Sequence, residues 1–402
     1  MSDTKPDRIC AEKSHNPWVK LILWSNEDPV RPADRWNGFM KYLVEEIRSF
    51  LQTLSVTDAR RLILMKDWGI DSAELRRARS LSVDELEHAK NLFPIDTNFS
   101  QLLPNITIDN LIFRKELSFA GAFFVRPISF KNCCFERPVD FYGANFEQGA
   151  IFSGSEFSET VDFGDAQFRF AALFERVTFC GQINFYWLEN ESNLLAIFRK
   201  AIFIKKTPRF HGQKFHLGCM FHGVTWPKIP KRNGDKKTQD AIENALLDQI
   251  TSYEFIRTQA EHIGQLELRK EMIRRELACR AELAEPSFER LLRKAYGWIC
   301  DHGTSIGRPA FALLCIWGFT FLAWRGWAAQ EAAVTTWDVL YHTGGRMLPF
   351  VGGHAYVEEH TLKALRAAPH VLHFLSAMAA ILSPFLLFLM ALALRLKFRM
   401  SV

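Results

Sequence analysis

Phenylalanine recurs at positions 113, 119, 124, 130, 135, 141, 146, 152, 157, 163, 168, 174, 179 and 185, in alternating steps of six and five without a break over thirteen intervals. Neither a half-buried strand, with a side-chain period of two, nor a helix, with a period of 3.6, produces that rhythm. A second position keeps step two residues before each Phe. From Leu117, Ala122, Ile128 and Cys133 through Val139, Ala144, Ala150 and Ser155 to Val161, Ala166, Ala172, Val177 and Ile183 it is always small or apolar.

Residues i−2 and i point the same way in an extended segment. Each unit therefore reads as a very short strand with two inward side chains, followed by a turn. Four units of 5, 6, 5 and 6 residues close one coil of 22. The segments VDFYGANFEQGAIF (139–152) and VDFGDAQFRFAALF (161–174) lie one such period apart and agree at seven of fourteen positions. The pattern predicts a solenoid with a column of rings inside.

Units such as YGANF, SGSEF and GDAQF resemble the pentapeptide-repeat family, over 113–185 and less regularly over 203–226. The resemblance implies a right-handed quadrilateral β-helix. The segment 186–203, YWLENESNLLAIFRKAIF, breaks the count and is expected to be a helical insertion. The ladder then resumes at Phe210, Phe215, Phe221 and Trp226.

The flanks carry helical patterns. In FMKYLVEEIRSFLQTL (39–54), Met40, Leu43, Val44, Ile47, Phe50 and Leu51 share one helical face. Ser82 and Glu85 have capping-box spacing. WVKLILW (18–24) fits either a short strand or a buried segment. Further on, TQDAIENALLDQITSYEFIRTQAEHIG would end at Gly264, and QLELRKEMIRRELACRAEL would return beside it and stop before Pro286. That hairpin resembles a single tetratricopeptide-type unit.

The last hundred residues change character. Arg308–Trp324 has sixteen uncharged residues after Arg308, short for a span needing ~20. Arg308 and Arg325 would have to snorkel, with Trp324 and Trp327 in the interfacial belt. Val371–Leu394 is 24 residues without Lys, Arg, Asp or Glu, and Pro384 should kink it. Burial of that segment inside a water-soluble globule is disfavoured by its length and apolarity. Arg290, Arg293, Lys294 and Arg308 precede the first span, and Arg395, Lys397 and Arg399 follow the second, which predicts cytoplasmic termini.

These readings give a mixed, multidomain chain of 402 residues: an α-helical N-terminal domain (1–105), a pentapeptide-repeat β-helix (106–230), a helical hairpin (231–300) and a membrane domain (301–402) with two transmembrane helices near 306–328 and 371–394. A net charge of +5 does not by itself mark a nucleic-acid binder. Eight scattered cysteines contain no C-x-x-C pair, which excludes a zinc or secreted disulfide framework and points to a reducing compartment.

His211, His216, Cys219 and His222 offer four metal-ligand side chains in twelve residues. The ladder argues against a site. Each His directly follows a Phe and points outward from a successive face, while Cys219 holds an inward position. No metal and no cofactor is expected. Paired carboxylates, a Ser/His/Asp set and a phosphate-cradling loop are not evident, so no enzyme is expected.

Glu136, Asp140, Glu147, Glu156, Glu159, Asp162 and Asp165 face only Arg137 in sequence. They form a candidate docking patch for a cytoplasmic protein partner. The family resemblance also admits a DNA-mimicking topoisomerase inhibitor, but the patch covers about one and a half coils and has Lys and Arg on both sides.

Between the spans, WDVLYHTGGRMLPFVGG carries Thr343, Gly344, Gly345, Arg346, Pro349, Phe350, Gly352 and Gly353. The order of span, re-entrant segment and span resembles the two-helix potassium-channel plan in outline. No T-V-G-Y-G filter is present, and Arg346 would repel cations. The segment either lines a pore or is a plain external loop; the sequence leaves both open. The closing LALRLKFRM strengthens the resemblance to bacterial pentapeptide-repeat membrane proteins with a channel-like helix pair. Two spans cannot enclose a pore alone, so a channel requires a homo-oligomer. The sequence thus suggests an inner-membrane, oligomeric, channel-like effector, with a non-conducting membrane-tethered scaffold as the alternative.

Overall fold

The computed structural model describes residues 8–28, 31–53, 73–92, 106–185, 195–210, 219–231, 236–284, 288–303, 305–330, 334–347 and 359–399. They form two compact units, residues 1–273 and 274–402.

The first unit is a β-solenoid built of four parallel faces. One face carries β3 (Leu111–Phe113), β7 (Cys134–Phe135), β11 (Glu156–Phe157), β15 (Thr178–Phe179) and β18 (Ile202–Phe203). The second carries β4 (Leu117–Ser118), β8 (Val139–Asp140), β12 (Val161–Asp162) and β16 (Ile183–Asn184). The third has β5 (Phe123–Phe124), β9 (Asn145–Phe146) and β13 (Gln167–Phe168). The fourth runs through β2 (Ile106–Thr107), β6 (Ile128–Ser129), β10 (Ala150–Ile151), β14 (Ala171–Leu173), β17 (Leu195–Ile197) and β19 (Cys219–Met220). Register matches the sequence period, with Val161 opposite Val139 and Phe157 opposite Phe135.

Each face contributes one column of stacked rings. Phe119, Phe141, Phe163, Phe185 and Phe210 follow one another at 4.9, 4.8, 5.4 and 5.3 Å between centroids. That spacing is close to the separation of hydrogen-bonded strands, so one repeat length serves backbone and rings together. Rings of neighbouring columns meet edge to face, as Phe141 does with Phe152. Every i−2 position from Leu117 to Ile183 is buried.

The alternation of five and six has a backbone cause. Asn110, Gly121, Asn132, Gly143, Gly154, Asp165 and Arg176, spaced by eleven, all have left-handed φ between 54° and 75°. Each lies two residues after a buried side chain inside a tight corner of the five-residue step, as where the Ala122 N–H donates to the Phe119 carbonyl at 2.9 Å across Gly121. Glycine suits Gly154, at φ 75°, because a Cβ there would press on the Asn132 side chain of the coil before, while Asn132, Asp165 and Arg176 hold equivalent corners without it.

Residues 195–203 correct the expectation of a helical insertion. They form β17 and β18, and Phe198 and Phe203 stack on Phe174 and Phe179 at 4.9 and 5.2 Å. The chain is two residues longer than one period here, yet Ala196 and Ala201 still precede each Phe by two. Residues 186–194 and Phe215 lie outside the described residues.

Helices α1 (Pro17–Ser25), α2 (Pro32–Thr53), α3 (Ala73–Arg77) and α4 (Val83–Leu92) form the N-terminal flank. The 18–24 segment is helical because Asn16 accepts the Trp18 N–H and Pro17 opens the first turn. Ser82 and Glu85 make the reciprocal capping-box bonds at 2.9 and 3.2 Å. On the other flank α5 (Lys236–His262) ends at Gly264, with φ of 69°, and α6 (Leu266–Leu283) follows. Pro286 lies outside the described residues.

The second unit holds α7 (Phe288–Cys300), α8 (Gly307–Ala328), α9 (Thr336–Met347), α10 (Glu359–Arg366) and α11 (His370–Arg399). Trp324, near the end of α8, packs on His373 and Ser376, near the start of α11, so the two long helices are antiparallel. Helix α9 packs against both.

Candidate functional site

Both ends of the solenoid are closed, and the closing groups are specific. An open coil presents unpaired backbone groups that would template association with another chain. At the first coil, side chains of the N-terminal helices take those groups. Trp36 Nε1 donates to the Phe123 carbonyl at 3.0 Å, and Asn37 accepts the Phe123 N–H at 2.7 Å while donating to the Gly121 carbonyl at 2.8 Å. Asn26 accepts the Ser118 N–H at 2.6 Å, and Asn16 donates to the Thr107 carbonyl at 2.7 Å. The Trp36 ring continues the Phe124 column at 5.3 Å. Before these helices, β1 (Ile9–Cys10) pairs with β3.

At the far end α5 does the same. Phe255 stacks on Phe210 at 4.9 Å, Tyr253 meets Trp226 edge-on at 6.1 Å, and Ser252 donates to the Pro208 carbonyl at 2.6 Å. Arg209 pairs with Asp248. Aromatic residues on amphipathic helices are this role's one trace in the sequence.

The seven acidic residues are spread around the solenoid rather than gathered on one stripe. Asp140 and Asp162 share a column on the second face. Glu147 is buried beside Phe146 and pairs with Arg169 at 3.0 Å. Glu156 pairs with Arg8 at 3.4 Å on another face, and Glu159 with Arg137 at 3.5 Å. Glu136 is exposed, and Asp165 occupies a left-handed corner. Arg8 and Arg169 lie outside the 136–165 stretch and reach these acids only through the fold. Burial raises the Asp140 carboxyl above its ordinary range, opposed by the Tyr142 N–H and assisted by the charges of Asp162 and Glu116.

The cysteines at inward positions are core residues. Burial pushes the Cys133 thiol up to about 12 and the Cys219 thiol well above its usual value, so neither supplies a thiolate near neutral pH. His222 is exposed, and His211 and His216 lie outside the described residues.

In the second unit, Gly307–Ala328 and His370–Arg395 are long and apolar enough to cross a membrane. At 22 residues the first is ~33 Å long, against a hydrocarbon layer of ~30 Å. Their polar groups turn inward. Trp324 Nε1 donates to Ser376 Oγ at 2.7 Å, and the same ring meets His342 at 4.7 Å and His373 at 5.5 Å. Thr320 and Ser383 are buried as well. The outward positions are Phe311, Leu314, Phe319 and Leu322 on α8 and Val371, Phe374, Ile381, Phe385 and Phe388 on α11.

The Gly-rich segment differs from the expected form. Thr343, Gly344, Gly345 and Arg346 are inside α9, with the buried Thr343 hydroxyl donating to the Val339 carbonyl at 2.8 Å. Packing of Val339, His342 and Thr343 outweighs the low helix propensity of two glycines. Pro349, Phe350, Gly352 and Gly353 lie outside the described residues.

Four parallel faces, a 22-residue coil and Phe columns define a β-solenoid of the pentapeptide-repeat type. Residues 108–156 match the family described as pentapeptide repeats, in nine copies. The coils continue beyond the matched stretch to β18 and β19. No curated protein and no solved structure matches the chain.

Proposed function

We propose that this protein is an integral membrane protein whose doubly capped pentapeptide-repeat solenoid is a protein-docking body anchored by α8 and α11. The observation that carries this reading is the inverted polarity of the helix pair. Thr320, Trp324, Ser376 and Ser383 are buried between helices, while the exposed positions from Phe311 to Leu322 and from Val371 to Leu394 bear no charged, hydroxyl or amide side chain. Water would reject such a surface and hydrocarbon accepts it. The basic residues flanking the pair favour cytoplasmic termini and an inner-membrane location.

Between Phe311 and Leu322 and between Val371 and Leu394, the lack of charged, hydroxyl or amide side chains at the exposed described positions favours anchoring over conduction, with the exposed Arg308, His370 and Arg395 confined to the helix ends. A second, channel-like reading draws on α9, which packs against both long helices as a short helix between two spans. That reading requires a homo-oligomer.

Cys315 tests the anchor, because it is exposed on α8. In native membranes a charged maleimide should leave Cys315 unlabelled by peptide mass mapping, and detergent denaturation should label it. Full labelling of Cys315 in intact membranes would overturn the anchor. Oligomeric state in detergent and ion flux in liposomes then separate scaffold from channel.

A further inference from the structure

Helix α7 sits just before the first long helix and presents an apolar strip that no part of its own unit covers. Leu291 is 64% exposed and Trp298 is 83% exposed. Seven residues apart, they fall on the same side of the helix, with the exposed Lys294, paired to Glu282, alongside. Such a strip is unfavourable in water, and its setting is basic. Residues 288–308 and 395–402 contain Arg290, Arg293, Lys294, Arg308, Arg395, Lys397 and Arg399 against Glu289 and Asp301. Glu282 on α6 pairs with Arg290 at 2.9 Å and with Lys294 at 2.8 Å.

The orientation of α7 is fixed by a built elbow. Asp301, His302 and Gly303 are three consecutive left-handed residues, at φ 52°, 56° and 83°. The Asp301 carboxylate accepts Arg274 at 3.3 Å and stands 3.6 Å from Arg308, the second residue of α8. The His302 ring lies so close to Gly297 that a Cβ there would meet Nε2 at 2.6 Å. Helix α7 packs against α8 and against α11. Exposure of Trp298 is therefore a consequence of a determined turn.

We propose that α7 lies in the headgroup layer of an anionic bilayer, with Leu291 and Trp298 entering the acyl-chain boundary and the exposed Arg293 at the phosphates. The inference rests on the membrane reading above and adds an interfacial contact to it. An indole at the boundary with cationic stems beside it is the arrangement that interfacial helices use. Anionic lipid is favoured by the seven basic residues at this end of the antiparallel pair.

The test is photocrosslinking of the full chain reconstituted in vesicles of equal parts phosphatidylcholine and phosphatidylglycerol. p-Benzoylphenylalanine is placed at position 298, at 291 as a second site on the strip, and at 311 on the outward face of α8. Lipid adducts at 298 and 291 are expected, detected by mass, together with adducts at 311. The yield at 298 should fall several-fold in pure phosphatidylcholine while that at 311 holds. Adducts at 311 without adducts at 298 or 291 would overturn the interfacial helix and leave the span intact. Crosslinks from 298 to a polypeptide would overturn it in favour of a protein partner or second copy. Adducts at 298 without adducts at 311 would keep α7 on the surface and remove the span; adducts at neither overturn both.

Discussion

Phe141 and Phe163 occupy the same position one coil apart, with centroids 4.8 Å apart and planes within 3° of parallel. Neighbouring columns press edge-on against both rings. Phe163→Ala should therefore leave a void that four faces cannot close together. The expected loss is about 3–5 kcal/mol, read by denaturant unfolding of the purified protein. Phe170, exposed at 63%, is the control, and Phe170→Ala should shift the midpoint little. Equal effects at the two sites would contradict the ring column as the source of stability.

Gly181 faces the backbone of the preceding coil so closely that a Cβ would meet the Glu159 carbonyl carbon and oxygen at 2.3 Å. Backbone cannot step aside as a side-chain end can. Gly181→Ala should cost about 1–3 kcal/mol as an overpacking strain. A melting temperature unchanged by the substitution would show that adjacent coils have slack there.

Asn37 serves two backbone groups at the open edge of the first coil. Asn37→Leu removes both bonds at similar size and should destabilise by about 1–3 kcal/mol, through the unpaired Phe123 N–H. It should also raise self-association, measured by light scattering, because an uncapped coil edge is a template for a second chain. A variant that unfolds earlier without associating would limit Asn37 to a stability role.

Asp140 supplies a pH test. Its carboxyl is raised, chiefly by burial and further by Asp162 and Glu116, although the Tyr142 N–H works against this. The folded state therefore holds that proton more tightly than the unfolded chain does. Its stabilising contribution is complete below the ordinary value of 3.8 and is lost as pH rises through the folded value. Asp140→Asn, which keeps an acceptor for Tyr142, should raise the melting temperature at neutral pH. The gain should vanish on acidification, and a pH-independent gain would exclude the electrostatic cause.

Trp324 and Ser376 join the two long helices through a single 2.7 Å bond. A double-mutant cycle of Trp324→Phe and Ser376→Ala in bilayers should give a coupling of about 0.5–2 kcal/mol. Strict additivity would mean the bond forms equally well when the helices are apart.

The inward positions could be read directly because the solenoid repeats one local rule. Any residue two before a ladder Phe meets the same neighbours in every coil, so Ala144 and Val161 are placed by spacing alone. Ser155 shows how little chemistry the rule needs: its hydroxyl accepts the Cys133 N–H at 2.8 Å and donates to the Phe130 carbonyl. Where coil length changed, the count failed while the rule still held, as Ala196–Phe198 and Ala201–Phe203 show. Apolar length likewise marked α8 and α11 from composition.

By itself, then, the order of residues determined the period, the ring columns and the two long apolar helices, because each depends on spacing within one segment. Tertiary structure alone decided that Trp36 and Phe255 close the two ends, that Arg8 reaches Glu156 148 positions away, and that Thr343–Arg346 are helical. It also decided which sides of α8 and α11 face outward. Those outcomes depend on which surfaces meet, and contact between distant segments leaves no period in a sequence.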